Sequence, residues 1–308
     1  MKLGFLIACL PDIALADLLQ WAQENQFQAL ELAAWPVASD RDYQARQIDA
    51  ARMTPAEAGR VTELFREHDL EISALAYYDN NLHPDLAQRE GYHDHLRRVI
   101  DTAALLQVGL VGTFVGARPD LSPAENIREI GGVFRGLTAY AADKGVRIMI
   151  ENCPMENWVR FGFPGNYAFS PELWSALFNE VPSDNFGLNL DPSHLHWLGI
   201  DYLRAVREFA PKIFHAHAKD TEILPEGRHH HSIFGTQIDP APWKSGWWRY
   251  RLPGLGEIDW RAFISALQEN GYDYVLSIEH EDPVWEGSEE KIKRGLVLGR
   301  KHLSPFII

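Results

Sequence analysis

The chain has 308 residues, 46% of them hydrophobic and 23% charged, and a formal net charge of −14. That hydrophobic share supplies one large core and excludes wholesale disorder, while so acidic a surface repels phosphate backbones and argues against a nucleic-acid partner. Two cysteines, Cys9 and Cys153, neither in a C-x-x-C pair, exclude a disulfide framework and a thiolate zinc site and suit a reducing cytoplasm.

At the N-terminus, Lys2, the apolar run Leu3–Leu10 and Ala14-Leu15-Ala16 imitate a secretory leader. We read them instead as a buried first strand, a turn at Pro11-Asp12 and a helix, because cleavage would remove a strand the fold needs. No run approaches the ~18–20 apolar residues of a membrane span, so a cytoplasmic protein without a membrane partner is expected. Short apolar runs predict strands at Leu3–Ala8, Ala29–Leu32, Ile72–Ala76, Leu110–Val115, Arg147–Glu151, Gly187–Asp191, Ile213–Ala218 and Tyr274–Glu279. The segments between them carry apolar residues three and four apart. Three helices open on Thr54-Pro55-Ala56-Glu57, Ser122-Pro123-Ala124-Glu125 and Ser170-Pro171-Glu172, each with a cap residue, a proline at the first position and an acid in the first turn. Alternating strands and helices imply a parallel sheet. Eight such units point to a closed (β/α)8 barrel spanning 1–308 as a single domain. An open doubly wound sheet is the competing architecture, but no G-x-G-x-x-G follows the first strand.

One connection is too long for a barrel loop. Thr221 to Ile258 separates the seventh strand from the next helix and holds His229-His230-His231, Trp243, Trp247, Trp248, Arg249 and Arg251. Tryptophan and arginine at that density are poor disorder composition, so residues 221–258 are read as a folded cap over the active-site mouth, with an oligomer contact as the alternative. The apolar tail Phe306-Ile307-Ile308 suggests burial in a homo-oligomer.

Functional groups of barrel enzymes sit at the C-terminal ends of the strands. Here strands five to eight end in Ile150-Glu151-Asn152, Leu190-Asp191-Pro192-Ser193-His194, His215-Ala216-His217-Ala218-Lys219-Asp220 and Ser277-Ile278-Glu279-His280-Glu281-Asp282. Glu151, Asp191, His217 and Glu279 would converge on one point, and carboxylates that close need a compensating charge. Oxygen-rich ligands with one imidazole suit Mn²⁺, and also Mg²⁺, Co²⁺ or Zn²⁺. His215 shares a face with His217, and Glu281 with Glu279. His217 is chosen by its H-x-K-D frame and Glu279 because it terminates the apolar strand. Lys219 would steady a carboxylate or an oxyanion, or else pair with Asp220. Glu31, Tyr77-Tyr78, His83, Trp35, Trp158 and Trp285 follow other strands, and His83, Trp158 and Arg251 are the candidates among these outer groups for touching substrate. Cys153 is read as packing beside Glu151.

These motifs resemble the xylose isomerase-like barrel superfamily, in particular its sugar phosphate isomerases/epimerases, ketose 3-epimerases and inosose dehydratases. The resemblance covers essentially the whole chain and is most specific from Glu151 onward. It implies that Glu151, Asp191, His217 and Glu279 bind one divalent metal, that Glu151 and Glu279 are the catalytic proton-transfer pair, and that His194, in a D-x-x-H frame with Asp191, contacts substrate. The implied reaction moves a proton next to the carbonyl of a small sugar or sugar derivative through an enediolate, giving isomerisation or epimerisation. The ketose 3-epimerases carry an arginine six residues after the metal histidine, where this chain has Ile223, so a simple ketohexose is a poor match. A lyase or dehydratase acting on a keto-sugar, an inosose or a 3-oxo-glycoside would use the same enolate. An endonuclease IV-like DNA repair enzyme and a non-catalytic sugar-binding barrel are the remaining alternatives; the charge opposes the first and the paired glutamates the second.

Overall fold

In the computed structural model, which describes residues 1–37, 47–155, 164–238 and 245–308, all eight expected strands form one parallel sheet closed on itself. They are β1 (Lys2–Leu6), β2 (Ala29–Ala33), β3 (Glu71–Ala76), β4 (Leu110–Thr113), β5 (Arg147–Glu151), β6 (Phe186–Leu190), β7 (Ile213–Ala218) and, last in the chain, β10 (Val275–Ile278). Each pairs with its neighbour in chain order, and β1 pairs with β10 to close the barrel, Phe5 opposite Ile278. The first strand is buried as expected, but it ends at Leu6 because Ile7–Cys9 wind into a 3-10 turn.

The helices are α1 (Leu15–Glu24), α2 (Pro55–Glu67), α3 (Leu86–Leu105), α4 (Pro123–Asp143), α5 (Pro171–Glu180), α6 (Pro192–Trp197), α7 (Tyr202–Phe209), α8 (Pro225–His231), α9 (Trp260–Glu269) and α10 (Glu289–Leu303). Helix α4 shows why they pack as they do. Ile127, Ile130, Phe134, Leu137 and Ala141 recur every three or four residues and are all buried, and each large side chain so buried contributes ~1.5–3 kcal/mol. Its start is a capping box: Ser122 Oγ accepts from Glu125 N, and Glu125 accepts from Ser122 N at 2.8 Å. Thr54 and Glu57 close the same box on α2. Helix α5 begins at Pro171 as expected, but the Ser170 side chain makes no capping hydrogen bond.

The described residues of the long connection form regular elements. A two-stranded antiparallel hairpin, β8 (Asp220–Ile223) and β9 (Trp248–Arg251), flanks α8, with Thr221 opposite Tyr250 and Glu222 opposite Arg249. Asp220 anchors its base. Its carboxylate accepts from the backbone of Thr221, Gly254 and Ile258 and from Trp260 Nε1, all within 3.0 Å. Gly256 passes so close to Asp220 Oδ1 and Thr221 O that a Cβ has no room. Among the described residues no helix is long and apolar enough to cross a membrane.

Candidate active site

Strand geometry delivers the four expected ligands to one point. Glu151 is the last residue of β5. Asp191 directly follows β6 and caps α6. His217 lies one residue from the end of β7, and Glu279 is the first residue past β10. Their ligand atoms all lie within 4.8 Å of one another. Two asparagines fix the backbone that carries them. Asn152 donates to Asp191 O at 2.9 Å and accepts from Asp191 N at 2.7 Å, while Asn166 donates to Glu151 O at 3.0 Å.

Along β7, His215, His217 and Lys219 alternate onto the barrel interior. His215 is the deeper group, bonded to Asn189 Oδ1 at 3.0 Å and Ser73 Oγ at 3.3 Å, and burial lowers its pKa to about 4, so it stays neutral. His217 is in the thick of the cluster. Its Nε2 lies 2.9 Å from Glu31 Oε2, and that carboxylate also accepts from Ser277 Oγ at 3.0 Å and Tyr78 Oη at 3.1 Å. Asn189 Nδ2 also lies 2.9 Å from Nε2, and Nδ1 faces Glu151 Oε1 at 3.0 Å and Glu279 Oε2 at 3.2 Å. A carboxylate behind one imidazole nitrogen is the usual way to aim the other at a metal.

The charge balance is negative. Burial alone lowers His217, but the charges of Glu31 and Glu279 and hydrogen bonds to Glu151 and Glu279 outweigh it and hold the ring well above its ordinary range. Burial raises Glu151, yet the imidazoles of His194 and His217 and the Lys219 charge bring it down. His194 Nε2 is 3.6 Å from Glu151 Oε1, so its share is electrostatic rather than hydrogen-bonded. Burial likewise raises Glu279 and Lys219's charge overcomes it, whereas Asp191 stays raised by burial despite Lys219 and His194. Among the described residues, five carboxylates (Glu31, Glu151, Asp191, Glu279, Glu281) thus meet two cationic groups, Lys219 and His217. Among the described residues, Asp191 Oδ2 and His194 Nε2 are buried without a hydrogen bond, although Lys219 Nζ stands 3.3 Å from that oxygen. Excess negative charge, hard oxygen donors, an aimed Nδ1 and an unspent carboxylate oxygen fit a divalent cation held by Glu151, Asp191, His217 and Glu279.

The other expected site residues divide. His194 is fully buried beside Asp191 and Glu151. Lys219 is at the cluster too, and not through Asp220: its Nζ reaches Glu279 Oε2 at 2.5 Å and Glu281 Oε2 at 3.0 Å, because Asp220 is spent on the hairpin base. Arg251 is not brought there. Alternation along β9 turns it away from Tyr250, and it binds Asp282 Oδ2 at 2.9 Å and Glu222. His83 is not brought there either; its Nδ1 accepts from Asp85 N at 3.2 Å at the start of α3, and its ring meets Tyr92. Trp158, with Trp243 of the long connection, lies outside the described residues. The groups that received no role from the sequence include Asn189 and Tyr250. Asn189 links His215 to Tyr78 Oη at 2.8 Å, and Tyr250 of β9 bonds His194 Nδ1 at 2.8 Å. The alternation Trp248-Arg249-Tyr250-Arg251 is a signal that separates Tyr250 from the arginines, once that stretch is known to be a strand.

Comparison with known proteins agrees with this architecture. The chain is 25% identical over 301 residues to the uncharacterized protein YfiH of Bacillus subtilis, covering 92% of this chain and 93% of that one. It is 28% identical over 246 residues to the inosose isomerase of Bacillus velezensis, covering 76% of each. A crystal structure of the IOLI protein with a bound zinc atom superposes with a TM-score of 0.72 at 23% identity, over 100% of this chain and 99% of that one, a likeness of fold. The family model for the xylose isomerase-like TIM barrel matches residues 19–302, and the chain belongs to that family.

Proposed function

We propose that this protein is a divalent-metal-dependent isomerase or epimerase that moves a proton next to the carbonyl of a small sugar or polyol derivative. The observation that carries the reading is the placement of two carboxylates, Glu151 and Glu279, at 3.0 and 3.2 Å from one imidazole nitrogen, on strands separated by two others in the barrel. Glu151, Asp191, His217 and Glu279 would hold the divalent ion, Mn²⁺ in our reading with Mg²⁺, Co²⁺ or Zn²⁺ as alternatives, and when bound it would supply Lewis acidity to the substrate carbonyl and so acidify the neighbouring C–H. One of the two glutamates takes that proton and the other returns it. Lys219 keeps Glu279 ionised and faces the developing oxyanion, and His194 offers its unspent Nε2 to a substrate oxygen. Similarity to an inosose isomerase supports a polyhydroxy ketone as substrate. Such chemistry needs neither nucleic acid nor membrane, and two free cysteines suit the cytoplasm. A lyase would share every group named, and release of water or of an alcohol would distinguish it.

The test is direct. Untagged protein should carry about one divalent ion per chain by elemental analysis. Glu151→Gln should abolish solvent-deuterium incorporation into a keto-polyol while the protein still folds and unfolds cooperatively. Undiminished exchange refutes the proton-transfer role, and full activity in chelator-stripped protein refutes the metal.

A further inference from the structure

The hairpin contributes one side chain to the site, and it does so rigidly. Thr221 Oγ1 donates to Ser193 O at 3.0 Å, which ties β8 to the residue before His194. Trp248 stacks on Trp197 at the end of α6, centroids 4.5 Å apart and planes within 8°. On the opposite face, Arg251 and the Leu252 amide both hold Asp282 Oδ2, at 2.9 and 3.0 Å. Fixed at both faces, β9 presents Tyr250 inward. Its hydroxyl lies 2.8 Å from His194 Nδ1, and its ring lies 4.5 Å beneath Lys219 Nζ.

His194 is fully buried, and its Nε2 has no hydrogen-bond partner among the described residues. The nearest groups are carboxylate oxygens, Asp191 Oδ2 at 3.4 Å and Glu151 Oε1 at 3.6 Å. A lone pair aimed at two carboxylates is repelled, whereas an N–H is attracted. In an imidazole with a single proton, placing it on Nε2 leaves Nδ1 to accept and the tyrosine hydroxyl to donate. The geometry points to Tyr250 as a positioning residue: it holds His194 as the Nε2–H tautomer, an unspent buried donor aimed at the cluster for a substrate oxygen. The hairpin thereby adds a group to a site whose other groups, among the described residues, come from the barrel. This rests on the function proposed above only for the statement that the donor meets substrate.

Tyr250→Phe removes the hydroxyl and keeps the ring that packs on Trp248 and under Lys219. Histidine-selective ¹⁵N NMR on protein loaded with diamagnetic Zn²⁺ reads the tautomer without any turnover. The wild-type protein should show His194 protonated at Nε2 and unprotonated at Nδ1. The variant should lose that preference while its melting temperature falls by no more than a few degrees, and its KM for an exchanging keto-polyol should rise roughly tenfold, the loss of one hydrogen bond of ordinary strength, with a smaller change in kcat. Nδ1 protonation in the wild type, coordination of zinc by His194 Nε2, an unaltered tautomer in the variant, or an unchanged KM overturns the proposal. If the wild-type tautomer is as stated but no keto-polyol exchanges deuterium, the proposed function fails and the tautomer assignment stands.

Discussion

Lys219→Met isolates the charge that balances the cluster. Methionine fills nearly the same volume without the ammonium, so the change is electrostatic before it is steric. In the native protein Nζ is buried and stands 2.5, 3.0 and 3.3 Å from oxygens of Glu279, Glu281 and Asp191. Breaking one buried ion pair by removing a partner costs ~3–5 kcal/mol, because it strands the other charge. For a chain of 308 residues that loss lowers the melting temperature by about 5–8 °C at ordinary unfolding entropies per residue. The deficit should depend on pH. Lys219 depresses the Glu279 carboxyl against burial, and a depressed carboxyl contributes stability above its unfolded pKa that is lost as pH falls through the folded value. The variant lacks that contribution, so the gap from wild type should be widest near neutrality and narrow as pH falls below the ordinary glutamate pKa of about 4 and through the lower folded value. Divalent metal should narrow it too, by replacing the missing positive charge. The assay is thermal unfolding of both proteins at two pH values, with chelator and with Mn²⁺. A deficit of equal size under all four conditions would show that Lys219 acts by packing and refute the charge argument.

Glu31→Gln should weaken metal binding ~10–100-fold, the usual effect of losing the carboxylate behind a ligating histidine, as read by competition with a coloured chelator; unchanged affinity would remove Glu31 from the site. Gly112→Ala places a methyl group against Tyr78 Oη and Met149 Cε, and since that hydroxyl is fixed by Glu31 and Asn189 the variant should lose ~1–3 kcal/mol in denaturant titration, with a loss under about 0.5 kcal/mol counting against it. Burial raises the Glu222 carboxyl, but hydrogen bonds from Arg249 and Arg251 outweigh it and hold it low. Its contribution to anchoring the hairpin is therefore present above the ordinary glutamate range and lost as pH falls through the lower folded value. Amide exchange, corrected for intrinsic rates, should accelerate in β8 below about pH 4 before it does in the barrel strands; simultaneous loosening would show that the ion pairs do not anchor the hairpin.

The barrel was legible because each strand is a local signal. Continuous apolar runs between capped helical patterns need no knowledge of distant residues, and all eight strands stand where those runs lie. The ligand positions were legible for a related reason: a parallel closed sheet puts every strand's C-terminal end on one rim, so polar residues there must meet. What the sequence could not rank was side-chain partnership across strands. Lys219 and Asp220 are adjacent in sequence and plausible partners, yet a one-residue step reverses the side-chain direction, sending Lys219 to Glu279 and Asp220 to the backbone of the hairpin. Glu31 precedes His217 by 186 residues, and only barrel closure brings them to 2.9 Å. Tyr250 and Arg251 are neighbours with opposite fates, because antiparallel pairing with Thr221 and Asp220 fixes which face each occupies. Local periodicity therefore determined the elements and the rim. Closure and hairpin register, which depend on contacts between residues far apart in the chain, decided which of the rim's polar groups meet.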